Sequence, residues 1–219
     1  MTLVTTGTWV VVMAPGAPKQ PLDASLDLLG NVSVRQELVP TGRFMGGREL
    51  QHLCAGADPK SADVDLLGRL LARGVLALPA FESQGGPFRA RAGRVIDQSG
   101  PVALASLAPA ERATLAAMYS AQVTAWIVER VGGAAPVIVE GPFAHNPVYT
   151  GTLAALLPHD RVLVGTDALE GTARGAWLLA HWTAPVLPSP PTRIALPVHA
   201  QALRAAHAQW LQALDGVPA

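Results

Sequence analysis

Short runs of β-branched and apolar residues along the chain predict the strands of a sheet. Residues 3–13 contain two such runs, and Gly7 between them predicts a hairpin or a sharp bend. Residues 31–38 mostly alternate apolar and polar side chains, and residues 40–42 are expected to turn this strand into a second antiparallel pair. The run 161–164 predicts a further buried strand.

Apolar residues at helical spacing, bounded by glycine or proline, predict the helices. One helix is expected over 63–73, where leucines repeat on one face before a glycine. The longest helix is expected over 110–131, and an amphipathic one over 198–214. Asp167 and Glu170 are three residues apart, which predicts a capping box at the start of another helix.

The stretch 137–157 predicts a strand, a tight turn and a helix in direct succession. Residues 137–139 are apolar on both faces, as in a strand of a helix-covered parallel sheet. Asn146 can accept a hydrogen bond from a free backbone N–H of the next turn, and Pro147 suits the first helical position. Open α/β sheets bind ligands at such turns, because backbone donors and a positive helix end are exposed there. We expect a nucleotide at this turn, although plain strand–helix connections share the spacing.

Two further places offer contacts for phosphate oxygens. Gly7 lies between Thr6 and Thr8, whose backbone N–H groups and hydroxyls would form a phosphate nest or simply a turn between strands. Arg48 follows the paired glycines 46–47 at the start of a short helix. From there it would reach a phosphate or remain a solvated arginine.

Composition narrows the class of partner. The chain has 219 residues, of which 50% are hydrophobic and 15% charged, so it is long enough for one well-filled core with an appendage. Sixteen basic residues balance sixteen acidic ones and no basic run occurs, which disfavours a nucleic-acid partner. The single cysteine, Cys54, indicates a reducing compartment, with the cytoplasm as the default. No apolar stretch approaches the roughly 20 residues of a membrane helix.

The carboxyl-terminal part of the chain changes in composition. Residues 183–197 are rich in proline and are interpreted as an extended linker. This linker would separate a domain over 1–182 from an amphipathic tail helix over 198–219.

Four stretches resemble motifs of the carboxyl-terminal half of the FGGY carbohydrate kinases. Residues 5–9 resemble the family's first hairpin, and residues 140–147 and 170–176 resemble its GGGAKNP and EAGALGAA motifs in order and spacing. Residues 42–49 resemble the L-fuculokinase and rhamnulokinase-like branch. The match covers residues 2–182. It implies an α/β ribonuclease H-like domain of the actin, sugar kinase and hsp70 type, a mixed sheet flanked by helices, with ATP between two such domains.

Carried over position by position, the resemblance implies contacts to the ATP phosphates from the first hairpin and to the adenosine from the later turn. With Arg48 added, the predicted contact residues are Thr6, Gly7, Thr8, Arg48, Gly141, Pro142, Phe143 and Asn146. The sequence departs from the family in the turn, where Pro142 and Phe143 replace glycines and His145 replaces a lysine. The adenine contacts are therefore expected to differ in detail.

The resemblance also implies what the sequence does not contain. The family's sugar-binding amino-terminal lobe has no counterpart here, and its catalytic aspartate lies just before the first strand, so we predict no catalytic residue. Phosphoryl transfer needs the sugar hydroxyl, a base, Mg²⁺ and the γ-phosphate held in line. Of the acids, only Asp97 and Glu140 could approach the cleft. Glu140 is expected on the base side of the nucleotide, away from the γ-phosphate, and nothing in the sequence fixes the position of Asp97 in its long loop.

These expectations lead to one main hypothesis and one alternative. The first is the ATP-binding half of a kinase for an L-fuculose- or rhamnulose-like sugar, inactive alone, with ATP, Mg²⁺ and the missing lobe as partners. The alternative is a nucleotide-binding or interaction module that acts with a separate partner chain. Apolar surface uncovered by the missing lobe predicts self-association or a partner. A dinucleotide-dependent oxidoreductase is disfavoured because no Gly-x-Gly-x-x-Gly follows a strand with an acid about 20 residues on.

Overall fold

The structure is a computed structural model that describes residues 1–159, 161–165, 171–183 and 192–215. Its strands are β1 (Thr2–Thr6), β2 (Val10–Met13), β3 (Leu28–Val32), β4 (Leu38–Phe44), β5 (Leu76–Leu78), β6 (Arg94–Asp97), β7 (Gly100–Val102), β8 (Val137–Glu140), β9 (Val162–Gly165) and β10 (Thr192–Ile194). Its α-helices are α1 (Gly46–Cys54), α2 (Val64–Ala72), α3 (Pro109–Arg130), α4 (Pro147–Leu156), α5 (Gly171–Ala180) and α6 (Ala200–Asp215).

Seven strands form one mixed sheet in the order β10-β9-β8-β1-β2-β4-β3. The central strands β1, β8 and β9 pair in parallel, and the outer strands pair antiparallel. The strands β5, β6 and β7 form a small second sheet. This arrangement confirms the predicted α/β domain with a mixed sheet flanked by helices.

Alternate residues of the central strands are buried against a layer of helices. Val4, Val10, Val137 and Val139 are completely buried, whereas the residues between them are only partly buried. The strand 137–139 was expected to be buried on both faces. In the structure Ile138 is only partly covered, so the strand is completely buried on one face.

The helix α3 is the centre of the helical layer and contacts α1, α2 and α4. Every residue from 113 to 128 is buried, because the helix lies between the sheet and its neighbouring helices. Its start at Pro109 and its length of 22 residues agree with the prediction. None of the helices in the described ranges has both the length and the hydropathy that crossing a membrane requires.

The second hairpin is present, but its turn lies elsewhere than predicted. Residues 40–42 belong to β4, and the chain reverses over 33–37, where the backbone N–H of Ser33 donates to the carbonyl of Glu37 at 2.9 Å. Gly42 has a packing role, since a Cβ at this position would overlap Ile127 of α3. The prediction of a turn at 40–42 was therefore wrong, because close packing rather than chain reversal requires this glycine.

The proline-rich segment 183–197 contains one more strand of the sheet. Within it, β10 pairs antiparallel with β9, and the Arg193 guanidinium donates to the carbonyl of Ala144 at 3.4 Å. Residues 184–191 of the segment lie outside the described residues, as does the predicted capping box at Asp167 and Glu170.

The tail helix α6 packs on the rest of the domain along the predicted stripe. Leu203, Ala206, Trp210 and Leu214 are all buried. The indole N–H of Trp210 donates to the carbonyl of Ala77 in β5 at 2.9 Å. The ring of Phe88 meets Trp210 edge-on at 5.7 Å between centroids. These contacts join the tail to the core through the small second sheet.

A buried histidine lies on the same helix. His207 is 9% exposed and stacks on Trp210 at 5.5 Å between ring centroids. Neither ring nitrogen of His207 has a hydrogen-bond partner among the residues that the structure describes. Burial lowers the pKa of His207 from 6.5 to about 4, because the charged imidazolium would lose its hydration.

We predict an acid-dependent loss of stability from His207. As the pH falls through 6.5 the unfolded chain takes up a proton that the folded chain excludes until about pH 4. The free energy of unfolding should drop over this window by up to about 3 kcal/mol. Urea unfolding at several pH values should show a shallower pH slope for His207→Phe, which retains a ring. The exposed His159→Phe serves as control. Identical slopes for wild type and His207→Phe would contradict the prediction.

Candidate functional site

A pocket of about 980 Å³ opens at the end of the sheet where β1 and β8 finish. Four parts of the chain form its walls: the tip of the first hairpin, the start of α1, the 3-10 helix Pro59–Ser61 and the turn between β8 and α4. The lining residues are Gly7, Thr8, Gly47, Arg48, Leu50, Gln51, Asp58, Pro59, Lys60, Ala62, Pro142, Phe143, His145, Asn146 and Pro147.

The pocket brings together most of the predicted contact residues from three separate stretches of sequence. Those that line it are Gly7, Thr8, Arg48, Pro142, Phe143 and Asn146. The remaining two, Thr6 and Gly141, are not among its lining residues. They instead connect the two strands at its base.

Thr6 joins the ends of β1 and β8. Its hydroxyl donates to the carbonyl of Glu140 at 2.7 Å and accepts from the backbone N–H of Phe143 at 3.1 Å. Gly141 has a φ of 87°, and a Cβ at this position would overlap the carbonyl oxygen of Thr6. Glycine is therefore required twice, for its backbone conformation and for the close approach of the two chains.

The turn after β8 has the predicted helix cap. Residues Pro142–His145 form a 3-10 helix, and the Asn146 side-chain oxygen then accepts from the backbone N–H groups of Val148 and Tyr149 at 3.0 and 3.2 Å. The cap uses this oxygen, which leaves the side-chain amide nitrogen of Asn146 for a ligand. The ring of Phe143 is 8% exposed and packs against Tyr149, so it supports the turn from the interior of the protein.

The paired glycines before Arg48 allow α1 to approach the first hairpin. The backbone N–H of Gly47 donates to the carbonyl of Thr8 at 3.1 Å, and a Cβ at Gly47 would overlap the carbonyl of Gly7. The backbone of the hairpin thus comes so close to α1 that only glycine fits at position 47. As a result Arg48 stands beside the hairpin tip.

Glu49 anchors the start of α1 from inside the protein. Its side chain is buried, and it accepts hydrogen bonds from the backbone N–H of Phe81 at 2.9 Å and from the Tyr119 hydroxyl. Burial raises the pKa of Glu49 above its ordinary value. The sequence did not predict this burial, because the partners of Glu49 lie far along the chain.

The cationic side chains of the pocket favour an anionic ligand. Arg48 and Lys60 both line it, and neither forms an ion pair or a side-chain hydrogen bond with another described residue. Asp58 is the one carboxylate among the lining residues, and its Oδ1 accepts from the backbone N–H of Lys60 at 2.9 Å. Asp58 and Lys60 were not predicted from the sequence, because their only local signal is a helix cap in a connecting loop.

The two acids that could approach the cleft do not line this pocket. The Glu140 carboxylate lies against Gly171 at the start of α5, where a Cβ would overlap it. Asp97 lies at the end of β6 in the small sheet and accepts from the backbone N–H of Ser99 at 2.7 Å. The structure therefore provides no candidate base at the pocket from either residue.

Comparison with protein families assigns the chain to a family of carbohydrate kinases. The family described as "Carbohydrate kinase FGGY, C-terminal domain" matches residues 1–188, so the chain belongs to this family. This result confirms the resemblance to the carboxyl-terminal half of these kinases. The L-fuculokinase and rhamnulokinase-like branch stays a prediction. The comparison with curated proteins gave no match.

Solved structures of carbohydrate kinases share the fold. A carbohydrate kinase from Novosphingobium aromaticivorans is 27% identical with a TM-score of 0.78, over 99% of this chain and 46% of that one. A xylulose kinase from Bifidobacterium adolescentis is 18% identical with a TM-score of 0.57, over 95% and 43%. A gluconate kinase from Lactobacillus acidophilus is 12% identical with a TM-score of 0.69, over 98% and 46%. The chain thus spans less than half of each of these structures.

We predict that removing the Thr6 hydroxyl destabilises the domain. Thr6→Val keeps the shape of the side chain but leaves the carbonyl of Glu140 and the N–H of Phe143 without their partner, at a cost of about 1–3 kcal/mol. Thr5→Val on the other sheet face is the matched control. Urea unfolding gives the free energies. Equal stability of the two variants would show that the Thr6 bonds contribute nothing.

Proposed function

We propose that the pocket binds ATP and that the chain is the ATP-binding half of a carbohydrate kinase. The observation that carries this proposal is the convergence of six predicted contact residues on one pocket with two cationic side chains. Its volume of about 980 Å³ is sufficient for a nucleotide. Membership of the FGGY family supports a sugar kinase as the class of enzyme.

The two ends of the pocket differ in chemistry. One end holds the hairpin tip with Gly7 and Thr8. It also holds the cationic side chains of Arg48 and Lys60, which suit the phosphates. The turn at Pro142 and the capped start of α4 supply an apolar surface and the positive end of a helix dipole. We assign the adenosine to this second end, where the Asn146 amide nitrogen is a donor for it.

Mg²⁺ is the cofactor that the family resemblance adds. Among the described residues no group of three or more potential ligand side chains could hold a metal ion. Asp58 is the single carboxylate of the pocket lining, and one of its oxygens already caps a 3-10 helix. The described residues therefore do not form a magnesium site, and the roles assigned to this chain do not depend on the metal.

The sugar and the catalytic base are assigned to the rest of the kinase. The structural relatives are about twice as long as this chain, which covers 46% of the first of them. A base must come within about 3 Å of the hydroxyl that it deprotonates, and neither Glu140 nor Asp97 lines the pocket. We therefore propose that the chain positions ATP, and that a further lobe supplies the acceptor site. Alone, the chain is expected to be inactive.

The proposed acceptor is an L-fuculose- or rhamnulose-like sugar, on the resemblance of residues 42–49 alone. In the structure these residues form the end of β4 and the start of α1, and Gly47 and Arg48 line the pocket. The motif therefore bears more directly on the nucleotide than on the sugar.

The cytoplasm is the proposed location of the protein. This location agrees with Cys54, which is free and buried, and burial raises the pKa of its thiol to about 11.

We predict that ATP binding depends on the cations of the pocket. The wild-type chain should bind ATP with a Kd near 1 mM, because one domain buries only part of the ligand. Lys60→Gln and Arg48→Gln should each weaken binding by about tenfold, through loss of a charge-assisted hydrogen bond to phosphate. The exposed residues Lys19 and Arg35 provide the matched controls Lys19→Gln and Arg35→Gln. Calorimetry measures the ATP affinity of the wild type and the four variants. Equal affinity of all five proteins would contradict ATP binding in this pocket.

A mixing experiment separates the kinase from the alternative of a binding module. The chain is combined with the amino-terminal lobe of a related carbohydrate kinase, and sugar-dependent ADP release is measured. Restored turnover that is lost again with the Lys60→Gln variant would support the hypothesis that the chain is the ATP-binding half of a kinase. Nucleotide binding without turnover in the presence of the lobe supports a module that acts with another partner.

A further inference from the structure

Asp58 is the one carboxylate among the residues that line the pocket. Its presence needs a reason, because the phosphates of a nucleotide carry charge of the same sign and repel it. An ionised carboxylate also accepts hydrogen bonds and cannot donate them. The part of the nucleotide beside Asp58 must therefore be uncharged and must carry a hydrogen-bond donor.

The Asp58 carboxylate is held in one orientation by its neighbours in sequence. Its Oδ1 accepts from the backbone N–H of Lys60 at 2.9 Å and so caps the 3-10 helix Pro59–Ser61. The main-chain carbonyl of Asp58 accepts from the Ser61 hydroxyl at 2.6 Å and from the Ser61 backbone N–H at 2.9 Å. These bonds fix the residue before a ligand arrives, which lowers the entropic cost of binding.

The second oxygen of this carboxylate is available to a ligand. No hydrogen bond or ion pair among the described residues uses Asp58 Oδ2. The residue is exposed and lies in the wall of the pocket. Asp58 thus has one oxygen for the helix cap and one for the nucleotide.

The position of Asp58 separates it from the hairpin tip. The tip contacts the start of α1, where the backbone N–H of Gly47 donates to the carbonyl of Thr8 at 3.1 Å. Asp58 lies near the other end of α1, because the pKa of the Cys54 thiol is raised by burial and, to a smaller degree, by the Asp58 carboxylate. Gly47 and Cys54 are seven residues apart in α1, which is about 10 Å along the helix axis. This separation is similar to the length of a triphosphate chain.

The group that follows the phosphates in a nucleotide is the ribose. The phosphates are assigned to the hairpin tip and the base to the turn before Asn146, so the ribose lies between these two ends. Its hydroxyls are uncharged donors, and carboxylates accept hydrogen bonds from them in other nucleotide sites. Asp58 therefore has both the chemistry and the position for a contact with the ribose.

We propose that Asp58 recognises the ribose of the nucleotide, so that the pocket selects ribonucleotides over deoxyribonucleotides. The proposal deepens the proposed ATP binding and rests on it. Asp58 Oδ2 accepts a hydrogen bond from a ribose hydroxyl, while Oδ1 keeps its bond to the Lys60 N–H. A nucleotide that lacks this hydroxyl leaves the carboxylate oxygen unpaired in the complex, and this loss produces the selectivity.

The test compares the binding of ATP, 2′-deoxy-ATP and 3′-deoxy-ATP to the chain by NMR titration. The wild type should bind ATP about tenfold more tightly than at least one deoxy form, because a hydrogen bond to a charged acceptor is lost. Asp58→Asn retains a cap oxygen but replaces Oδ2 by a donor, so this preference should fall to about twofold or less. The readout is the ratio of affinities, since removal of a negative charge alters the binding of all three triphosphates together.

Asp63→Asn is the matched control. Asp63 caps α2 by accepting from the backbone N–H of Leu66 at 2.8 Å, and it is not a lining residue of the pocket. This variant should keep the wild-type preference for ATP. Inosine triphosphate lacks the amino group of adenine, which is the other uncharged donor of ATP. The ratio of its affinity to that of ATP should not change in Asp58→Asn.

Three results would overturn the proposal. The first is equal affinity of the wild type for ATP and both deoxy forms. The second is a preference for ATP that Asp58→Asn retains, which would leave Asp58 as a helix cap only. The third is that Asp58→Asn changes the ratio for inosine triphosphate instead, which would place the adenine amino group beside the carboxylate. If the wild type binds none of these triphosphates, the proposed ATP pocket itself is wrong and this inference is wrong with it.

Discussion

The structure depends on the junction between β1 and β8. These strands are more than 130 residues apart in sequence, and their parallel pairing brings their carboxyl ends together at one edge of the sheet. The Thr6 hydroxyl bonds to both sides of the turn after β8, and Gly141 makes the close approach possible. The bond to Phe143 is buried and the bond to Glu140 is partly buried, so losing the hydroxyl would leave at least one polar group unsatisfied.

Three of the four walls of the pocket are connected to this junction. The hairpin tip continues directly from Thr6, and α1 is fixed to that tip through Gly47. Glu49 then ties α1 to α3 from within the core. The cap at Asn146 begins α4 immediately after the turn. Arg48 and the helix start therefore reach the pocket on rigid elements, as preorganised binding requires.

The hairpin tip separates two environments of different charge. On the helix side it borders the pocket with Arg48 and Lys60, and on the other side it borders Arg43 with its partner Asp27. The alternation of side chains along β4 accounts for this division, since adjacent residues of a strand face opposite ways. The hairpin tip thus has the cationic pocket on one side and an ion pair on the other.

Local sequence was sufficient for the elements whose causes are local. The hairpin at Gly7, the cap at Asn146 and the stripe of α6 follow from glycine, capping and periodicity within a few residues. Motif resemblance indicated five residues that line the pocket, and the paired glycines before Arg48 indicated the sixth. Tertiary structure alone decided the burial of Glu49, because its partners Phe81 and Tyr119 lie far along the chain. It also decided that β4 continues through Gly42, which packs against Ile127, and that Lys60 lines the pocket. No local pattern in the sequence records these contacts.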